Sequence, residues 1–198
     1  MTSRAVVDLF AEDRAHEEFL RAMVGRLARE DGKGLDLRVR SARGGHGRAI
    51  AELQLYQRAK LSVGGGQFPD ILVVAIDANC KPFAKAKKEI EESLRSQFVE
   101  ISAIACPEPH IERWFMADPA SFKDVLGVSP KLEKQKCDRD RYKNLLASTV
   151  EEAGYTPLLG GIEFARELVE AMDLQRASAA DRSLHAFIDA MTARLKGL

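Results

Sequence analysis

DILVVAID, residues 70–77, is the stretch of the chain that decides the fold. Ile71 to Ile76 are all apolar and an aspartate closes the run. A short apolar segment rich in β-branched residues reads as a strand at the centre of a parallel sheet, covered on both faces. Gly64-Gly65-Gly66-Gln67-Phe68-Pro69 leads into it as a flexible connection. Those glycines precede the strand rather than follow it, so they do not read as a phosphate-binding loop. Asp77-Ala78-Asn79-Cys80 stops the strand.

Upstream, AVVDLFA, residues 5–11, is a second buried strand that ends at Glu12-Asp13. From Ala15 to Glu30, the residues Phe19, Leu20, Met23, Val24 and Leu27 recur at helical spacing, and Gly32 and Gly34 close that helix. LDLRVRSA, residues 35–42, alternates apolar and charged side chains, as a strand near a sheet edge does. A helix over Arg48–Lys60 returns the chain to residue 70. Downstream, FAKAKKEIEESLRSQF (83–98) reads as one helix and VEISAIACP (99–107) as the next strand, ended by Pro107 and Pro109. Ile111 to Asp118 reads as a short helix. Alternation of this kind implies right-handed crossovers, hence an α/β fold with a mostly parallel, doubly wound sheet of about four strands. Beyond Pro119 the pattern is helical only, near 119–126, 139–153, 161–172 and 181–196, with a turn at Pro157–Gly161. The expectation is an α/β domain over 1–118 and a helical extension over 119–198 packed on it as one compact unit.

At 198 residues and 45% hydrophobic, the chain can bury a core without staples. Lys+Arg and Asp+Glu both number 30, so the net charge is zero. A free-standing nucleic-acid binder is usually basic; any such contact here must come from a local patch, a metal or a partner. Cys80, Cys106 and Cys137 form no C-x-x-C pair, and reduced thiols in a cytosolic protein are the simple reading. MTSRAVVDLFAED lacks the apolar stretch of a signal peptide, and no run is long enough to span a bilayer. The expected location is cytoplasmic.

Ligands of open parallel sheets sit beyond the carboxyl ends of the strands. Three acidic positions fall there: Glu12-Asp13, Asp77-x-Asn79, and Glu112 shortly after Pro107 and His110. Like charges gathered at one edge need a cation or shared protons, and hard oxygen ligands suit Mg2+ or Mn2+. Each residue also has a plainer reading. Asp13 reads first as a helix N-cap. Asp77 serves a site or an Asx-turn equally well. Glu112 fits an i, i+4 surface pair, His110 a capping or packing role, and Trp114 the core. The basic stretches Arg38–Arg48 and Lys131–Lys143 are solvated faces or phosphate contacts.

AVVDLFAEDRAHEEFL resembles the opening of TOPRIM domains, LVVAIDANC resembles their strand ending in Asp-x-Asp, and ACPEPHIERWFMADPASF resembles the third segment of TOPRIM-like proteins related to OLD-family nucleases. YTPLLGGIEFARELVEAMDL is similar to the helical tail of small bacterial members, some of which are linked to phage defence beside an ATPase. The resemblance implies a Mg2+-dependent nuclease with Glu12, Asp77 and Glu112 as catalytic acids. It implies Glu12, Asp77, Asn79 and Glu112 as metal ligands, with Asp118 a weaker candidate. Asn79 departs from the second aspartate, His16 stands where some relatives carry an acid, and Asp13 replaces a glycine. Expected partners are nucleic acid, DNA ahead of RNA, an ATPase and a second copy of the chain, with no membrane. The competing readings are a non-catalytic TOPRIM-like partner or sensor subunit and, lowest, a receiver-like phosphotransfer domain, which lacks its lysine between Ser102 and Pro107.

Overall fold

The computed structural model describes residues 4–42, 45–132, 137–138 and 140–198. In the two basic stretches, Arg43, Lys134, Lys136 and Arg139 lie outside the described residues, as does the start of the helix expected from residue 139.

Four strands, β1 (Ala5–Ala11), β2 (Leu35–Ser41), β3 (Ile71–Ala75) and β4 (Ser102–Ala105), form one parallel sheet in the order β2-β1-β3-β4. β1 pairs with both neighbours, Ala11 lying opposite Ser41 on one side and Ala75 on the other. The chain therefore steps from β1 outward to β2, then crosses back past β1 to β3 and β4. The reversal of direction lies between β1 and β3, and this switch point is where the carboxyl ends of two adjacent strands leave a crevice.

Alternation along the strands sorts side chains onto two cores. Val7, Leu9 and Ala11 of β1, with Ile71, Val73 and Ala75 of β3, face helix α1 (Arg14–Glu30) and the helical extension. Phe10, Leu72, Val74 and Ile104 face the opposite side, where α2 (His46–Leu61) and α3 (Phe83–Glu92) supply Leu53, Ala86 and Ile90. Asp8 lies on that second face, almost fully buried, and is satisfied by Arg38 (2.5 Å), Tyr56 Oη (2.6 Å) and Lys60 Nζ (3.1 Å). The edge strand β2 is half-exposed along most of its length, in line with its alternating sequence.

The helix expected over 83–98 breaks in two, α3 and a single turn α4 (Ser96–Val99). The cause is tertiary. The fully buried Gln57 of α2 donates its amide to Ser93 O at 3.1 Å and accepts from Arg95 N at 2.7 Å, claiming backbone groups at the break. The following strand accordingly begins at Ser102 rather than at 99. A short α5 (Glu112–Phe115) precedes the extension.

The extension comprises α6 (Pro119–Leu126), α7 (Arg141–Glu152), a 3-10 turn (Ile162–Phe164) running into α8 (Ala165–Ala171), α9 (Leu174–Ala180) and α10 (Arg182–Lys196). Helix α9 was not expected. Asp173 caps its start, and Asp181 ends it while capping α10 through Ser183 N and Leu184 N. Gly161 has a φ of 94°, and a Cβ there would meet Leu146 Cγ at 2.9 Å, so the turn before α8 needs glycine. Leu146 and Val150 of α7, Leu168 of α8 and Leu184, Phe187 and Met191 of α10 join the same core as α1 and the sheet. Trp114 sits there too, stacked on Phe187 and donating to Ser183 Oγ at 2.9 Å, which makes it a core residue.

The expectation of three reduced thiols is corrected. Cys80, in the loop after β3, and Cys137, ahead of α7, form a disulfide with a Cα–Cα distance of 5.4 Å. Their separation of 57 residues carries no pairing signal in the sequence, and only the docking of α7 brings them within bonding reach. Cys106 is a buried free thiol. No helix among the described residues is long and apolar enough to cross a membrane.

Candidate active site at the sheet switch point

Glu12 is the first residue past β1 and Asp77 the second past β3. The two strands are hydrogen-bonded neighbours, so these side chains meet although 65 positions separate them. The Glu12 amide donates to Ala75 O at 2.9 Å, which carries the β1–β3 ladder one step beyond the strand. In return the Asp77 amide donates to Glu12 Oε2 at 3.0 Å. Both carboxylates are buried, at 7% and 8% exposure.

Two histidines flank Asp77. His16, on the first turn of α1 and fully buried, brings Nε2 to 3.0 Å from Asp77 Oδ1 and Nδ1 to 2.7 Å from Asp13 Oδ1. A carboxylate only accepts, so each ring nitrogen must donate and the ring is an imidazolium. Burial opposes that charge, but Asp77 and Asp13 outweigh it and raise the His16 pKa well above the ordinary imidazole value. His110 places Nδ1 3.2 Å from Asp77 Oδ2, and this bond raises its pKa against a smaller opposing effect of burial. For Asp77 burial pushes upward, yet the two imidazoles hold its carboxyl below the usual range. Asp13 is likewise lowered, to about 2: burial opposes, and the bond and charge of His16 prevail. Asp13 also accepts from the His16 amide at 3.1 Å, so it is the N-cap of α1 as its position suggested.

Around Asp77 lies a polar pocket of about 260 Å³, lined by Glu12, Asp13, Asp77, Asn79, His110, Glu112, Asp140 and Lys143. All four residues expected to ligate a metal, Glu12, Asp77, Asn79 and Glu112, border this one cavity. Their roles within it differ. The ligating atoms of Glu12, His16 and Asp77 lie within 4.8 Å of one another, close enough that the trio could hold a metal ion. Glu112, the first residue of α5, stands outside that trio. Burial, and then the charge of Asp77, raise its pKa above the ordinary glutamate value. Asn79 has a left-handed backbone, φ 52°, with Nδ2 3.5 Å from Asp77 O.

Asp118 does not reach the pocket. Its carboxylate is buried and taken up by Arg176 Nη2 at 2.9 Å, Ser121 Oγ at 2.6 Å and the Asp173 amide at 2.8 Å, so it ties α6 to α9. Sequence reasoning missed two pocket residues, Asp140 and Lys143, which the extension delivers from far along the chain. No local pattern marks them. His16 was noted only as a replacement for an acid, whereas it is the central partner of Asp77. Its signal was present in the sequence: i+4 from Glu12 and i+3 from Asp13 place it on the helix turn nearest the strand end.

Comparison of the chain with protein-family models, with curated proteins and with solved structures found no match.

Proposed function

We propose that the chain is a TOPRIM-like, divalent-metal-dependent nuclease acting on nucleic-acid phosphodiesters. The observation that carries this reading is the meeting of Glu12 and Asp77, buried and side by side, at the switch point of a parallel sheet. With His16 held as an imidazolium, its nitrogens offer no lone pair. The donors left are oxygens: Glu12 and Asp77, with Asn79 and Glu112 on the wall. An all-oxygen set fits Mg2+ or Mn2+. Such an ion, when bound, polarises a phosphodiester and lowers the pKa of a water. The chain's own residues supply the rest. His16 holds Asp77 in one orientation from the core side. His110, at the pocket edge and protonated more readily than a free imidazole, is placed to hand a proton to a leaving oxygen. Lys143 offers a cationic contact for a phosphate in an otherwise acidic pocket. DNA as substrate, an ATPase partner and a role in phage defence follow from the TOPRIM resemblance alone. A plasmid-nicking assay with Mg2+ or Mn2+ tests the proposal. Cleavage by the wild type and its loss in both Glu12→Ala and Asp77→Ala is the expected result; cleavage unchanged in both variants rejects it.

A specific observation favours a second reading, a non-catalytic partner subunit of an ATPase-containing complex. Asp77 already has its charge compensated by two imidazoles. Under this reading calorimetry finds no Mg2+ or Mn2+ binding to the purified chain.

A further inference from the structure

We propose that the Cys80–Cys137 disulfide is a thiol-operated latch that holds the first turn of α7, with Asp140 and Lys143, against the acidic pocket. The proposal rests on the reading of that pocket as a functional site. The crosslink joins two walls of the same cavity. Cys80 follows Asp77 and Asn79 on one wall; Cys137 precedes Asp140 and Lys143 on the other. It spans 57 residues and fastens the extension to the loop after β3, not one core element to another.

Three further features fit a latch. Both bridged cysteines are exposed, within reach of an external thiol, while Cys106 is fully buried with its thiol pushed up to about 12, chiefly by burial. Exchange chemistry is thus confined to the bridged pair. Among the described residues, Asn79 (φ 52°) and Asp140 (φ 56°) are the non-glycine residues with positive φ. Each lines the pocket and lies within three positions of a bridged cysteine. Such conformations persist where surrounding structure imposes them, and the crosslink imposes both. Finally, the Asp140 side chain does not cap α7, so the helix start lacks the usual anchor. Further along, Leu146 and Val150 lie in the core. Opening the crosslink therefore frees the first turn and leaves the rest of α7 docked.

The chemistry balances with a dithiol reductant. One of its thiolates attacks a bridge sulfur, forming a mixed disulfide and releasing the other cysteine as thiolate. The second reductant thiol then displaces the remaining cysteine. Two electrons and two protons pass to Cys80 and Cys137, and the reductant leaves as its own disulfide.

The test uses the full chain, air-oxidised and after dithiothreitol, together with Cys80→Ser. Non-reducing peptide mapping is expected to find Cys80 joined to Cys137. Hydrogen exchange over residues 140–145 is expected to rise about tenfold on reduction and in Cys80→Ser, with α1 unchanged. Absence of the linked peptide overturns the proposal. So does unchanged exchange over 140–145, or a uniform rise that includes α1, the mark of a staple for the whole fold. Mn2+ titration by calorimetry on both forms separates the two readings. No binding in either form, with exchange responding as expected, supports the latch and removes the metal-dependent nuclease.

Discussion

His16 Nε2 lies 3.0 Å from Asp77 Oδ1 inside the protein, with the imidazole wholly buried. Helix α1 thereby delivers a positive charge to the one place where β1 and β3 gather carboxylates. In a TOPRIM-like arrangement that place is shared among acids and metal; here part of the compensation is covalently built into the chain. Removing one member of a buried ion pair leaves the other uncompensated. His16→Ala is expected to cost about 3–5 kcal/mol of stability, read from urea unfolding. A loss below 1 kcal/mol, on the order of an exposed pair, contradicts the pairing.

Asp118 gives a pH dependence with a defined sign. Its folded pKa is lowered to about 2: burial opposes, and bonds from Arg176, Ser121 and the Asp173 amide outweigh it. A carboxylate depressed on folding adds stability that is fully present above its unfolded pKa. That stability is lost as pH falls through the folded value. Stability should therefore decline from about pH 4 toward pH 2, and Asp118→Asn should flatten that part of the curve. Equal slopes in thermal melts of the two proteins between those pH values would contradict this.

Gln57 splices the break between α3 and α4. Gln57→Ala leaves Ser93 O and Arg95 N without their buried partner, a loss of about 1–3 kcal/mol. Chemical denaturation measures it, and a neutral effect would mean that water or a continued helix replaces the carboxamide.

Glu112 carries the opposite sign to Asp118. Its raised folded pKa, due to burial and then to Asp77, means that the folded state holds a proton the unfolded chain would release. Its contribution to stability therefore falls as pH rises past about 4.3. Glu112→Gln is expected to raise the melting temperature at neutral pH while weakening Mn2+ binding. A lower melting temperature together with unchanged Mn2+ affinity would remove Glu112 from the pocket's charge balance.

The sequence alone determined the architecture. DILVVAID and AVVDLFA are apolar because both faces of their sheet are covered, and that cause is local enough to read directly; β1 begins and ends where its sequence says. Strand-end acids were legible for the same reason, since a parallel sheet points its carboxyl ends one way. Tertiary structure alone decided what the acids do. Which strands adjoin depends on the order β2-β1-β3-β4, and that order makes Glu12 and Asp77 neighbours. Whether an aspartate meets a lone arginine, as Asp118 does, or an imidazolium, as Asp77 does, depends on side chains up to 61 positions away. The Cys80–Cys137 bond and the arrival of Asp140 and Lys143 depend on the docking of α7. Periodicity records the burial of each segment; it holds no record of which buried faces meet.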